Sequence, residues 1–501
     1  MARRLAGLGM VAAIALAGVP LAAETPQREV ITAQVEQQRA ATIKALQDWV
    51  AKPTIAAEKF GTPEGAEYMR QLALDAGFQQ AKIIPTDGVP AVFATLDQGA
   101  PTTLGIYFMY DVKQFDPAEW NSPPLEGKLV ERPGEGVSIV GRGVVNQKGP
   151  QMAFLAAIKA IQASGRKLPV NIVLVAEGEE EVASTHFDQV VAVPEVREAL
   201  AKTVGVFIPT AAQSRDGSAN ITLGAKGAVE FQLVVGGETS DKYPKTDIHS
   251  SNHARIESPA WRLVKALDTL VADDGHTPAI DGWFENVQAL TPRQKELITE
   301  SAALNPESQE KALLGVGRWI NDEDYITSLE RFYSQPTVNI QGLVSGYTGQ
   351  GGKTVLPGRA EAKLEFRLVP KMTKDEAVSK LKAHLAKRGF DDVQVTVSGG
   401  YGPNETDEDS VLIRAQKRLF DETGVPYSIR PRNAGSWPGV IFNGPPLNLP
   451  ASQFGLGRGG GAHAPNEWFL IESSDPKVYG LDQATMAYVD YLYVLAEEAA
   501  K

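Results

Sequence analysis

Two kinds of hydrophobic pattern alternate along the chain. Over residues 29–51 apolar side chains recur at helical spacing with few breakers, which predicts a long first helix. Residues 103–112 form a short apolar run rich in aromatic and branched side chains, the pattern of a buried strand. The segment 151–164 is small and apolar with helical period, and 170–176 is a continuous apolar strand. Strands alternating with helices predict an α/β layer built on a mainly parallel sheet. The middle of the chain differs. Residues 228–235 and 361–369 read as strands of a second sheet, and 258–271 and 374–388 as its two covering helices. A polar, helix-prone insertion fills 281–329, and from about Asp409 strand and helix return with Gly-rich turns. The expected architecture is an α/β domain over 24–225 and 402–501, interrupted by a smaller α+β domain over 226–401.

The amino terminus carries a different pattern. Arg3 and Arg4 precede an apolar run from Leu5 to Val19, with Ala22 and Ala23 just before the polar Glu24-Thr25-Pro26-Gln27. That is the order of a secretory signal, with cleavage near Ala23. The run is shorter than the roughly 20 residues a membrane span needs. The mature chain is therefore expected to be exported and free of the membrane, most simply in a bacterial periplasm.

Composition narrows the chemistry. A chain of 501 residues, 43% hydrophobic and 22% charged, is long enough for two or three cored domains. Its net charge of -12 argues against nucleic acid or anionic membrane as partner. There are no cysteines, which excludes thiolate metal sites, thiol nucleophiles and disulfides.

Three segments carry candidate chemistry. Glu177-Gly178-Glu179-Glu180-Glu181 follows the 170–176 strand, where a parallel sheet delivers residues to a cleft. A solvated acidic loop is the plain alternative for so many glutamates. His463 lies in Gly459-Gly460-Gly461-Ala462-His463-Ala464-Pro465-Asn466-Glu467, where glycines let the chain pack close to a site. The third is Gly141-Arg142-Gly143-Val144-Val145-Asn146-Gln147-Lys148-Gly149-Pro150.

In this order the three resemble the zinc metallopeptidase family of carnosinase, aminoacylase, glutamate carboxypeptidase and succinyl-diaminopimelate desuccinylase. The resemblance spans nearly all of the mature chain. It implies a two-zinc hydrolase in which the first glutamate of an adjacent pair is the general base and the second a metal ligand. Carried over, Glu180 is the base, Glu181 and His463 are ligands, and Asn466-Glu467 orient the imidazole. Asp111 matches the aspartate that steadies a histidine ligand, but Met109 stands in that histidine's place. Asn146 occupies the position of the bridging aspartate and Thr210 that of the remaining one, so three of five ligand positions are neutral. The implied cofactor is then a single zinc held by Glu181, His463 and Asn146, or none.

The resemblance also implies a lid that mediates dimerisation. In it His249, with His253 nearby, would reach a partner's site to steady an oxyanion. Arg367, Arg432 and Ser436 match elements that bind a substrate carboxylate, although salt bridges within the fold are the plain reading of both arginines. The leading expectation is hydrolysis of amide bonds in dipeptides or N-acyl amino acids by a homodimer. The alternatives are a non-catalytic peptide binder, the inert half of a heterodimer with an active paralogue, or a metal-independent acid/base enzyme in the same pocket.

Overall fold

The computed structural model describes residues 26–501, so the expected signal at 1–23 lies outside the described residues. The central sheet has six strands in the order Gln80–Ile84, Ala91–Leu96, Asn171–Glu177, Thr103–Met109, Val206–Pro209 and Ala451–Phe454. The last four run parallel; the first two form an antiparallel edge. Thr103–Met109 and Asn171–Glu177 are buried at every position but the first. Helices cover both faces, which is why these strands read as unbroken apolar runs.

The helix Gly149–Ala163 begins with Pro150, whose missing N–H costs nothing in a first turn. Twelve of its fifteen residues are buried, so it is an interior helix. It packs between the first helix, Pro26–Val50, and the last, Leu481–Ala499. Phe154 meets Phe207 and Tyr488 edge-on at centroid distances of 5.5 and 5.6 Å. This aromatic contact ties the carboxy-terminal helix into the core laid down by the first half of the chain.

A second sheet forms wholly between residues 227 and 401. Its strands, all antiparallel, run in the order Thr337–Ser345, Arg359–Leu368, Gly227–Gly236, Gln394–Tyr401. Arg359–Leu368 alternates exposed or half-buried with buried positions, the period of a sheet covered on one side. Pro259–Asp268 and Lys374–Lys387 provide that cover, with Leu263, Leu267, Leu381 and Leu385 in the shared core.

The insertion folds as the helices Pro292–Leu304, Glu307–Leu314 and Tyr325–Ser334. It does not stay with the second sheet. Pro292–Leu304 packs on the strand Tyr427–Arg430, and Leu297 joins the core of the main body. Ser301 Oγ accepts from Arg430 Nε at 3.2 Å on the same face.

Candidate active site

The strand expected over 103–112 ends at Met109, and the chain then leaves the sheet. Tyr110 N–H still donates to Glu177 O at 2.9 Å, and Val112 N–H to Thr54 O at 2.8 Å. This departure places Asp111 and Lys113 at the sheet's end. Next to it, the strand Asn171–Glu177 runs into the short 3-10 turn Glu180–Val182. Asp111 binds the two segments together: its carboxylate accepts from Glu180 N at 3.3 Å and Glu181 N at 3.0 Å. Burial, and then the Glu181 charge, push the Asp111 carboxyl up to about 8, against the pull of the backbone N–H groups. Burial followed by repulsion from Glu181 and Asp111 raises Glu180 well above the ordinary carboxylate range. A base lifted in this way holds a proton more strongly than a surface glutamate does.

Deeper in, Glu177 Oε1 accepts from Tyr107 Oη at 2.7 Å and Ser184 Oγ at 2.9 Å, and burial raises its carboxyl as well. The loop bearing Asn146 is held by Glu467, which is buried. Its oxygens accept from Arg142 Nη1, Gly143 N and Val145 N at 2.9 Å each and from Asn146 N at 3.0 Å. Glu467 thus orients the 142–146 loop, not His463 as expected, because the backbone donors and the guanidinium saturate it. Asn466 is also engaged elsewhere, its Oδ1 accepting from Asn121 N at 2.8 Å.

His463 has a left-handed backbone, φ 63°, a conformation that non-glycine residues hold mainly where the surroundings dictate it. Its Nε2 lies 3.1 Å from Glu181 Oε2 and 3.2 Å from Oε1. Asn146 Nδ2 donates to Glu181 Oε1 at 2.7 Å and sits 3.0 Å from His463 Nε2. The three residues are brought together as expected. The amide nitrogen, not the oxygen, faces the carboxylate, so Asn146 acts as a donor between the other two. Met109 is buried in the core, and Thr210 Oγ1 is buried with no hydrogen-bond partner among the described residues.

This donor set does not fit a zinc centre. Zinc in hydrolases takes at least three imidazole, carboxylate or thiolate ligands. Among the described residues no group of three or more His, Cys, Asp or Glu could hold a metal ion. Thioether, hydroxyl and amide stand at the other positions, and the amide hydrogen-bonds the remaining carboxylate.

The carboxylate-binding candidates cluster where the second sheet meets the main body. Arg367 Nη1 donates to Ser436 Oγ at 2.8 Å while its Nε pairs with Glu365, and Tyr401 Oη donates to the same Ser436 oxygen at 3.3 Å. Arg432, buried, donates to Tyr333 O at 2.6 Å and to Glu405 Oε1 at 3.3 Å. A cleft of about 420 Å³ has Asn146, Thr210, Arg430, Arg432, Tyr325 and Tyr333 in its wall. The insertion helices form one side of it. His249 is exposed, pairs through Nδ1 with Ser251 Oγ at 2.8 Å, and is not brought to Glu180 within one chain.

Two residues near the glutamates were not singled out from the sequence. Tyr401 lies close enough to Glu180 for the carboxylate to raise its hydroxyl, after burial. Lys113 places its ammonium 3.4 Å from Glu181 Oε2 and donates to Glu181's main-chain oxygen. A lysine two residues beyond Asp111, beside a lost histidine, was the available signal.

A parallel sheet ending in paired glutamates, a glycine-borne histidine and a separate antiparallel domain define the architecture of a two-domain amidohydrolase. The profile of Peptidase family M20/M25/M40 matches residues 110–485, and the chain belongs to that family. The Cys-Gly metallodipeptidase of Saccharomyces cerevisiae is 27% identical over 420 residues, covering 79% of this chain and 81% of the relative. The Beta-Ala-His dipeptidase of Rattus norvegicus is 28% identical over 366 residues, 68% of this chain and 70% of that one. Among solved structures, the M20 family metallo-carboxypeptidase of Sulfolobus solfataricus superposes with a TM-score of 0.79 at 30% identity, covering 91% of this chain and 99% of that one.

Proposed function

We propose that this protein hydrolyses the amide bond of dipeptides or N-acyl amino acids. The observation that carries the proposal is the bracing of the Glu180–Glu181 turn by Asp111, which preserves the acid–base half of the pocket. Water adds across the amide: Glu180 accepts a proton from water, and the oxygen attacks the carbonyl carbon. As the C–N bond breaks, the proton passes to the departing nitrogen, leaving a carboxylic acid and an amine. The substrate's carboxylate is drawn to the cluster of Lys226, Arg367 and Arg432, whose mutual repulsion, after burial, depresses the Lys226 ammonium to about 7. His249 serves the site from a second copy of the chain. Dimerisation through the second sheet is supported by its edge strand, which exposes Ile340, Leu343 and Val344.

The proposal extends to export, with residues 1–23 removed, and to the boundaries 24–225 with 402–501 and 226–401. The mass of the chain recovered from a periplasmic extract, alone and by light scattering, checks the cleavage and the dimer. Among the described residues no helix is long and apolar enough to cross a membrane.

The test of the chemistry is a turnover screen over dipeptides and N-acyl amino acids with wild type and Glu180→Gln. Turnover is expected to fall by about 10²–10⁴ in the variant, the usual worth of a positioned base, with ligand affinity retained. Activity surviving the change sinks the assignment. A second reading, binding without turnover, is favoured by Asn146 lying between Glu181 and His463. Tight binding with no product in wild type would establish it.

A further inference from the structure

Both oxygens of Glu181 are met by the protein's own groups. Its side chain is 4% exposed. Oε1 accepts from Asn146 Nδ2 at 2.7 Å and lies 3.2 Å from His463 Nε2; Oε2 lies 3.1 Å from His463 Nε2 and 3.4 Å from Lys113 Nζ. The same ammonium donates to the Glu181 carbonyl, so it is tied to this residue twice. Glu180, in the same turn, and Asp111, which accepts from that turn's backbone, add two more acidic side chains. A buried carboxylate in such company keeps its charge only where a cation or hydrogen-bond donors meet it. In the enzymes this chain resembles, metal ions provide the cation. Here three ligand positions are neutral and a lysine stands at the carboxylate that remains.

We infer that Lys113 is the resident cation of this pocket, holding Glu181 in place of a metal ion, and that the protein has no requirement for zinc. Lys113 is a positioning residue in this scheme. Its side chain, 32% exposed, closes one face of Glu181. An incoming zinc ion would have to displace both the ammonium and the Asn146 amide, with one imidazole as its only other strong ligand. The neutral ligand positions and the lysine together set the site's charge without a metal ion. The inference holds whether the pocket turns its ligand over or only binds it, so the zinc and turnover experiments fail separately.

The experiment titrates zinc chloride alone into the mature chain after chelator treatment, reading bound metal with a competing indicator. Wild type is expected to retain no stoichiometric zinc. Two variants restore the ligand positions, Met109→His with Asn146→Asp and Thr210→Asp, one keeping Lys113 and one adding Lys113→Val. Both are expected to take up zinc, the variant without the lysine at least about tenfold more tightly, a difference of about 1.4 kcal/mol. Equal affinity with and without Lys113 would overturn its role. Stoichiometric zinc in wild type would overturn the inference even if neither variant folds.

Discussion

At the residue scale, the notable feature is how many ionisable groups lie inside without a full counter-charge. Lys226 is the simplest to test. It is 4% exposed, and its Nζ donates to the Gln335 carbonyl at 2.7 Å. Burial, then Arg432 and Arg367, hold its pKa near 7 instead of 10.5. Between those values the unfolded chain binds the extra proton, so folding stability rises with pH across that window. Below pH 7 both states are protonated and the slope from this residue vanishes. Guanidinium midpoints at pH 7 and 9.5 should show the rise in wild type and lose that part of it in Lys226→Met; identical slopes in both would contradict the assignment. An acidic turn after a buried strand and a histidine among glycines are local signals that point to the glutamates and His463, whereas Asn146 is placed through the family resemblance. The partners of Glu467 were not legible, since a carboxylate chooses among donors that only the folded chain brings near.

Elements were read well wherever burial imposes a period. The predicted 374–388 helix appears as Lys374–Lys387, and the predicted 228–235 strand as Gly227–Gly236. The predicted 103–112 strand is shorter, because the apolar character of Tyr110 and Val112 reflects burial outside the sheet. The insertion marks where pattern reading stops. Its helices were foreseen, but their packing on Tyr427–Arg430 depends on a strand more than a hundred residues later. Leu297 is fully buried in the main core at that contact. Leu297→Ala should therefore cost about 2–5 kcal/mol in denaturant unfolding of the main body, as for a large-to-small core change. A cost near zero would mean that the insertion is an independent appendage.

For the whole molecule, the fold brings Asp111, the glutamate pair and His463 together at one end of the central sheet. The parallel sheet delivers Asp111 and the Glu180–Glu181 turn, while the glycine loop delivers His463. The insertion encloses one side of the adjoining cleft, which has Arg430 and Arg432 in its wall. Family membership accounts for the architecture, and the proposed departure from zinc chemistry rests on the neutral side chains of Met109, Asn146 and Thr210. Turnover of a dipeptide and N-acyl amino-acid panel by the chelator-treated mature protein, beside Glu180→Gln, tests this most directly. Turnover that is unchanged by chelator and lost in the variant is the predicted result. Turnover that disappears with chelator and returns with zinc would contradict the account.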